Sequence, residues 1–121
     1  MSKNCQIIAE IGWNHMGDMD LAKKMIDASK YAGADYAKFQ TWSTKNLKPG
    51  PWDTDGRLEI YKKAELTRDQ HFLLKEYCDS SNIKFLTSVF NHNDIEWLID
   101  LKIDTIKVAS MEIHIKKSLR L

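Results

Sequence analysis

A chain of 121 residues with 43% hydrophobic content is long enough for one modest globular domain with a buried core. Its 18 Lys and Arg side chains nearly balance 17 Asp and Glu, without a block of like charge, which argues against a nucleic-acid or anionic-membrane partner. No stretch resembles a signal sequence or approaches the roughly 18 apolar residues of a membrane span. Cys5 and Cys78 lack metal-ligand spacing, so we expect buried thiols in a reducing cytoplasm.

Short β-type runs alternate with amphipathic helical patterns from the N-terminus onward. Residues 6–11, "QIIAEI", predict the first strand, and Asp18 predicts the N-cap of a helix that ends at Gly33. Residues 35–40, "DYAKFQ", predict the second strand. The following segment, 41–66, contains both prolines and is expected to run over the surface as a long loop.

The second half of the chain repeats this alternation. Thr67 and Gln70 form a capping-box pair at the start of a helix, and residues 83–90 predict the third strand. Asn93 is expected to cap a short helix before a fourth strand at 104–110. Four strands separated by three helices imply parallel βαβ units, in a doubly wound sheet or in part of a closed barrel. A complete eight-stranded barrel takes about 250 residues, so this chain would supply about half of one.

Polar residues stand near the carboxyl end of each expected strand, where α/β proteins bind ligands. They are Glu10 on the first strand, Lys38 and Gln40 on the second, Thr87 and Ser88 on the third, and Lys107, Ser110 and Glu112 on the fourth. Two lysines and a serine suit a small dianion such as a phosphorylated carboxylic acid, through charge-assisted hydrogen bonds. Glu10 and Gln40 have the acceptors and donors to bind sugar hydroxyls. Each of these side chains could instead be solvated or paired at the surface.

Other candidate ligands are weaker. His15 lies on the first strand–helix turn, where it is either structural or in contact with a ligand. The residues of "NHND", 91–94, are too close together for a usual transition-metal site, so we assign no metal. The four tryptophans share no period, which gives little support to a stacking platform for nucleic acid.

Three separated motifs, "IIAEIGWNHMGD", "YAKFQT" and "IKVASMEI", together resemble the sialic acid synthase family, which includes N-acetylneuraminate, legionaminate and pseudaminate synthases. The resemblance covers residues 5–113. It implies a parallel (β/α)₈ barrel of TIM type, of which this chain has about the first four strands. It also implies a reaction that condenses phosphoenolpyruvate with an N-acetylated amino sugar to form a nine-carbon acid.

The same resemblance assigns roles to individual residues. Lys38 matches a lysine that binds phosphoenolpyruvate, and Gln40 matches a glutamine near the acceptor sugar. Glu10 matches a glutamate that contacts the amino sugar. We therefore expect a substrate-binding role for Lys38 and Gln40, and a catalytic role for Glu10.

Further assignments fall near the end of the chain. The resemblance implies that Lys107 and Ser110 bind phosphoenolpyruvate and that Glu112 is catalytic. Family enzymes use a divalent metal, Mn or Mg, whose two histidine ligands lie on later strands that this chain lacks. Met111 departs from the glycine usual in the family, and Lys102 stands where a glycine commonly ends a helix, which would place a non-glycine residue at positive φ.

These observations give one leading expectation and several alternatives. Residues 1–121 are interpreted as the N-terminal half of a barrel synthase domain, without the C-terminal half or an antifreeze-like domain, and are expected to be inactive alone. The runner-up is a non-catalytic, ligand-binding half-barrel that associates with a second copy or with a missing C-terminal half. A structural domain without chemistry and an open flavodoxin-like sheet are the remaining alternatives.

Overall fold

The computed structural model describes residues 5–109, which form four strands and four α-helices. The strands are β1 (Ile8–Gly12), β2 (Tyr36–Thr41), β3 (Lys84–Val89) and β4 (Lys107–Val108). The helices are α1 (Met19–Tyr31), α2 (Arg57–Ala64), α3 (Arg68–Ser80) and α4 (His92–Leu98), with 3₁₀ turns at Thr44–Asn46, Pro51–Asp53 and Ile99–Leu101. Within this part of the chain, no helix has both the length and the apolar character needed to cross a membrane.

The four strands form one parallel sheet in the order β1-β2-β3-β4. The hydrophobic core lies between this sheet and its helices: Ile26 of α1 and Leu74 of α3 pack in one cluster with Phe39 of β2 and Phe85 of β3. Leu98 of α4 belongs to the same cluster, so the three helices cover the same face of the sheet. Sequential strand order with helices on one face is the arrangement of a (β/α) barrel, whereas a doubly wound sheet reverses its strand order and has helices on both faces. The barrel expectation is confirmed, and the flavodoxin-like alternative is wrong.

Side-chain caps define the starts of the helices. The Asp18 carboxylate accepts a hydrogen bond from Leu21 N at 3.1 Å, which confirms the predicted start of α1. Thr67 and Gln70 exchange side chain–backbone hydrogen bonds of 3.1 and 2.9 Å, as the capping-box spacing predicts. The predicted cap at Asn93 is wrong, because the Asn91 side chain accepts from Asn93 N at 2.9 Å and α4 begins two residues earlier.

The segment 41–66 is more ordered than the sequence suggests. We expected a loop, yet α2 occupies its second half and positions Ala64 and Leu66 in buried sites. The Trp42 indole N–H donates to the Tyr61 backbone oxygen at 3.2 Å, which ties α2 to the end of β2. The two prolines and Gly56 obscured this helix, because they mark only the turns that precede it.

The positive φ predicted for Lys102, at a position where related proteins commonly have glycine, is confirmed. Lys102 ends the 3₁₀ turn Ile99–Leu101 with φ 55°, in the left-handed region. Such a conformation costs a non-glycine residue on the order of 1 kcal/mol. The surrounding packing of Leu98 and Leu101, both buried, offsets that cost.

Gly17 permits the β1–α1 turn to contact the end of α2. Its φ is +83°, and a Cβ atom added there would lie 2.3 Å from the Lys63 backbone oxygen. We expect Gly17→Ala to lower the free energy of unfolding by about 2–4 kcal/mol, through left-handed strain and a clash with backbone. Urea denaturation followed by circular dichroism measures this difference.

Gly33→Ala is the matched control. Gly33 has φ +91°, but an added Cβ would meet nothing within 4 Å. We expect Gly33→Ala to lower the free energy of unfolding by only about 1 kcal/mol, the cost of a left-handed backbone conformation at a non-glycine residue. Equal losses in the two variants would show that the Gly17 contact with Lys63 does not constrain the turn.

Candidate active site

The sheet face opposite the helices carries polar side chains in two adjacent rows. Strand register pairs Glu10 with Lys38, and Lys38 with Leu86. One pleat closer to the carboxyl ends, Gln40 pairs with Ser88 and Ser88 pairs with Lys107. Side chains two residues apart on a strand share a face, so both rows face the interior of the barrel to which this sheet corresponds.

The Lys38 ammonium is the most deeply buried charge in the first row. Lys38 is 4% exposed, and its Nζ donates to both Glu10 carboxylate oxygens at 2.6 and 2.9 Å. The Glu10 side chain is 55% exposed, so one partner of this ion pair is in solvent and the other is not. An ammonium has three N–H donors, and among residues 5–109 only Glu10 accepts from it. Lys38 can therefore accommodate a second anionic partner.

The second row contains the amide, hydroxyl and ammonium groups predicted to contact substrate. Ser88 is buried, and its Oγ has no hydrogen-bond partner among the residues described. Lys107 is exposed beside it on β4. Next to Gln40, β1 is irregular and ends at Gly12, where an added Cβ would lie 3.8 Å from Gln40 Nε2. Buried polar atoms are normally satisfied, so the lone Ser88 hydroxyl indicates a position that a ligand or water can fill.

The structure brings Glu10, Lys38, Gln40 and Lys107 to one face of the sheet, with Glu10 and Lys38 near its middle and Gln40 and Lys107 closer to its carboxyl end. Their roles in binding and catalysis remain predictions. Ser110 and Glu112, predicted to bind phosphoenolpyruvate and to act in catalysis, lie outside the described residues.

Thr87 does not belong to this site, which corrects its placement at the ligand end of the third strand. It faces the helices, where its Oγ1 lies 2.7 Å from Thr41 Oγ1, and Thr41 Oγ1 lies 2.8 Å from His71 Nε2. Burial lowers the pKa of His71 to about 4, so this imidazole is neutral near pH 7. The three side chains join β2, β3 and α3 behind the site.

His15 is a structural residue of the β1–α1 turn. It is fully buried, and its Nδ1 accepts a hydrogen bond from Gly17 N at 2.9 Å. Its ring packs against Phe39, with centroids 5.9 Å apart, and burial lowers its pKa. His15 therefore holds the turn against the core, which is one of the two roles that the sequence left open.

An aromatic pocket adjoins Gln40 and was missed in the sequence. Its cavity of about 150 Å³ is lined by Gln40, Leu47 and the rings of Trp13, Trp42, Trp52, Tyr61 and Phe90. The Trp42 ring meets Tyr61 and Phe90 edge to face, with centroids 6.2 and 6.4 Å apart. Three of these rings directly follow β1, β2 and β3, one is in the 3₁₀ turn Pro51–Asp53 and one is in α2, so no periodic spacing could reveal them. The concentration of tryptophans after β2 was the available signal.

The described residues do not provide the divalent metal site that the family resemblance implies. Within 5–109, no three His, Cys, Asp or Glu side chains lie close enough together to hold a metal ion. Glu10, the carboxylate nearest the candidate site, already pairs with Lys38. The chemistry proposed below therefore uses only side chains of this chain.

A family model and curated relatives of known name both match this chain, and they indicate the same family. The NeuB family model matches residues 25–121. N,N'-diacetyllegionaminic acid synthase of Legionella pneumophila is 37% identical over 93% of this chain and 35% of that enzyme. Human N-acetylneuraminate-9-phosphate synthase is 35% identical over 88% of this chain and 32% of its own length. The chain thus spans about a third of the length of these curated relatives.

A solved structure supports the same relationship. The N-acetylneuraminic acid synthetase of Leptospira borgpetersenii, crystallised in complex with citrate, superposes with a TM-score of 0.80 at 31% identity. The match covers 92% of this chain and 38% of that protein. Sequence and fold therefore agree that the chain belongs to the NeuB family, whose relatives named here are synthases of sialic-acid-type sugars.

Proposed function

We propose that this chain forms the N-terminal part of a sialic-acid-type synthase that condenses phosphoenolpyruvate with an N-acetylated amino sugar. The observation that carries this proposal is the buried Lys38 ammonium, paired only with half-exposed Glu10 among the described residues. It lies near the middle of the sheet, one pleat from Gln40, Ser88 and Lys107, which are closer to the carboxyl ends of the strands. The names of the legionaminic acid and N-acetylneuraminate-9-phosphate synthases that the chain resembles support the class of product.

Lys38 and Lys107 are proposed to bind the two anionic groups of phosphoenolpyruvate. Charge-assisted hydrogen bonds are strong, and they strengthen where the local dielectric constant is low, as around the buried Lys38. The Ser88 Oγ has no partner among residues 5–109, and we propose that it donates to an oxygen of the same ligand. Ser110 stays in this proposal as a further ligand on the basis of the family motif.

Glu10 and Gln40 are proposed to contact the acceptor sugar. When an anion binds Lys38, the Glu10 carboxylate loses part of its attraction to the ammonium and is free to accept hydrogen bonds from sugar hydroxyls. In the reaction, C3 of phosphoenolpyruvate forms a carbon–carbon bond to the aldehyde carbon of the sugar, whose C=O π bond breaks and whose oxygen takes up a proton. Water adds at C2 of phosphoenolpyruvate, and the phosphate leaves as inorganic phosphate to give the 2-keto acid. Fixed positions of the two substrates lower the barrier to that step by removing the need for a chance encounter. Glu112 remains a proposed catalytic residue.

The described residues alone do not enclose a catalytic centre, because four strands leave the barrel face open. We therefore propose that the 121-residue chain binds phosphoenolpyruvate but makes no product by itself. Product formation by the isolated chain, with manganese or magnesium added, would contradict this part of the proposal.

Self-association is a second candidate role, favoured by one observation. Ile7 and Ile8 at the start of β1 are 54% and 50% exposed, and β1 is an edge of the four-stranded sheet. Exposed apolar edges favour association, either with a second copy or with the C-terminal half of a barrel. Light scattering that shows a monodisperse monomer would count against association with a second copy.

Lys38→Met should weaken phosphoenolpyruvate binding by about 10- to 100-fold, because a charged hydrogen bond contributes about 1.5–3 kcal/mol. Isothermal titration calorimetry of phosphoenolpyruvate into the 121-residue chain measures this change. Lys84→Met is the matched control: Lys84 is on β3 of the same sheet but at its opposite end, paired with Asp104 at 3.4 Å. An equal loss of phosphoenolpyruvate affinity in both variants would indicate that only the net charge of the chain, and not the position of Lys38, affects binding.

Glu10→Gln should lower the free energy of unfolding of the free chain by about 1–2 kcal/mol. This value lies between the cost of breaking an exposed ion pair and that of breaking a buried one, because only one partner of the Glu10–Lys38 pair is buried. It leaves the Lys38 ammonium buried without its counter-ion, so phosphoenolpyruvate should restore more stability to this variant than to the wild type. Thermal denaturation with and without the ligand measures both effects.

Glu59→Gln controls for loss of a surface carboxylate. Glu59 is on α2, 81% exposed and 3.9 Å from Lys62. Its replacement should leave stability within about 0.5 kcal/mol of the wild type. If Glu10→Gln behaves in the same way, the Glu10–Lys38 pair does not balance a buried charge.

A further inference from the structure

Three polar side chains are enclosed in the core directly behind the candidate site. Thr41 of β2, His71 of α3 and Thr87 of β3 are each at most 1% exposed, and we call them the buried polar cluster. Aromatic rings surround them: the His71 ring lies edge to face with Trp97 and with Phe85, at 4.7 and 6.4 Å between centroids. Polar groups are costly in such a place unless they bond to one another. The pattern of their hydrogen bonds is therefore constrained.

The hydrogen bonds of the buried polar cluster run in one direction. His71 Nδ1 lies 2.7 Å from the Thr67 backbone oxygen, which can only accept, so Nδ1 carries the proton. Because burial lowers the pKa of His71 to about 4, the ring is neutral near pH 7 and its Nε2 is an acceptor. Thr41 Oγ1 donates to Nε2 at 2.8 Å and, having no second proton, accepts from Thr87 Oγ1 at 2.7 Å. The hydroxyl proton of Thr87 is thus committed to Thr41.

This direction matters for Ser88, the residue that follows Thr87. The Thr87 hydroxyl also lies 3.4 Å from the Ser88 backbone oxygen, which is the competing acceptor for its proton. On the opposite face of β3, the Ser88 Oγ has no partner among residues 5–109 that could hold it. The orientation of the Ser88 side chain therefore depends on its backbone. The bond from Thr87 to Thr41 ties that part of β3 to β2 and keeps the Thr87 proton away from the Ser88 carbonyl.

We propose that Thr87 is a positioning residue of the phosphoenolpyruvate site and acts through Ser88. This inference rests on the proposed function, because it concerns the serine proposed to donate to phosphoenolpyruvate. Thr87 faces the helices and does not touch the ligand. Thr41 and His71 orient its hydroxyl, and the resulting bond between β2 and β3 holds the Ser88 hydroxyl toward the opposite face. Loss of that bond leaves the Ser88 side chain less well oriented, so affinity for phosphoenolpyruvate falls.

Thr87→Val and Thr87→Ser are a matched pair that separates the hydroxyl from the packing. Valine keeps the branched shape and removes the hydroxyl, whereas serine keeps the hydroxyl and removes the methyl group. Thr87→Val should fold, because Thr41 still donates to His71 and no buried donor loses its acceptor. By isothermal titration calorimetry, we expect Thr87→Val to weaken phosphoenolpyruvate binding about 3- to 5-fold and Thr87→Ser to stay within about 1.5-fold of the wild type. The reverse order would show a packing role and would overturn the proposal.

A double-mutant cycle with Ser88→Ala tests whether Thr87 acts through Ser88. Ser88→Ala alone should weaken binding by about tenfold, the contribution of a hydrogen bond to a charged group. When Ser88→Ala is already present, Thr87→Val should change the affinity by less than about 1.5-fold, because no hydroxyl remains to be oriented. An equal loss from Thr87→Val in both backgrounds would contradict action through Ser88.

The direction of the hydrogen bonds can be measured without a ligand. Long-range ¹H–¹⁵N NMR spectra near neutral pH show which ring nitrogen of each histidine carries the proton. His71 should have its proton on Nδ1. His15 is an internal control with the opposite tautomer, because its Nδ1 accepts from Gly17 N at 2.9 Å. A proton on Nε2 of His71 would reverse the direction assigned to Thr41 and Thr87 and would overturn the proposal.

Two results separate this inference from the proposed function. If Ser88→Ala weakens phosphoenolpyruvate binding but Thr87→Val does not, the positioning role is wrong and the proposed function stands. If the wild-type chain does not bind phosphoenolpyruvate, the proposed function fails, and the positioning role fails with it.

Discussion

A lysine buried within a parallel sheet requires a counter-charge, and this requirement organises the functional face of the chain. Removing an ammonium from water is expensive unless an anion replaces its hydration. Lys38 meets this requirement through Glu10 on the neighbouring strand, at 2.6 Å. Because the Glu10 side chain is more than half exposed, the pair neutralises Lys38 without enclosing it in a permanent buried ion pair. The ammonium is thus stabilised in the free chain and remains available to a stronger anionic ligand.

The rest of the structure positions this pair because the two faces of the sheet differ: one packs against the helices, and the other carries the polar side chains. Phe39 and Phe85 point toward the helices, and their rings stack with centroids 5.5 Å apart. Side chains an odd number of positions away on the same strand point to the opposite face. The apolar packing that fixes β2 and β3 therefore also fixes the direction of Lys38 and Ser88. The hydrogen bonds of Thr41 with His71 and with Thr87 hold the same strands from the helical side. Core packing and site geometry are consequently two results of one strand register.

Much of this arrangement could be predicted from the sequence because it depends on short-range patterns. Strand alternation gave the shared face of Lys38 and Gln40, and local cap chemistry gave the starts of α1 and α3. Thr87 was assigned to the wrong side because polarity suggested a site, whereas parity with Phe85 placed it behind the sheet. Asn91 was missed as a cap because Asn93 and Glu96 have the spacing of a capping box, whereas in the structure the Asn91 side chain accepts from Asn93 N.

Features that depend on distant residues could not be predicted. The Glu10 contact with Lys38 spans 28 residues. Pairing of Glu10 with a lysine was an open alternative, but the choice of Lys38 needs the strand register, which no local pattern provides. The aromatic pocket combines rings from positions 13 to 90, and α2 is stabilised by contacts to Trp42 and to the turn at Gly17. These parts form only when the segment 41–66 folds back over the carboxyl end of the sheet.

The most direct test of the account is a crystal structure of the chain soaked with phosphoenolpyruvate. We expect a ligand oxygen within hydrogen-bond distance of Lys38 Nζ, roughly 2.7–2.9 Å for a charged pair, with the Glu10 carboxylate moved away from one of its two present contacts. A structure with ligand density elsewhere, and with Lys38 and Glu10 still joined through both carboxylate oxygens, would contradict the claim that this buried ammonium is the anion site.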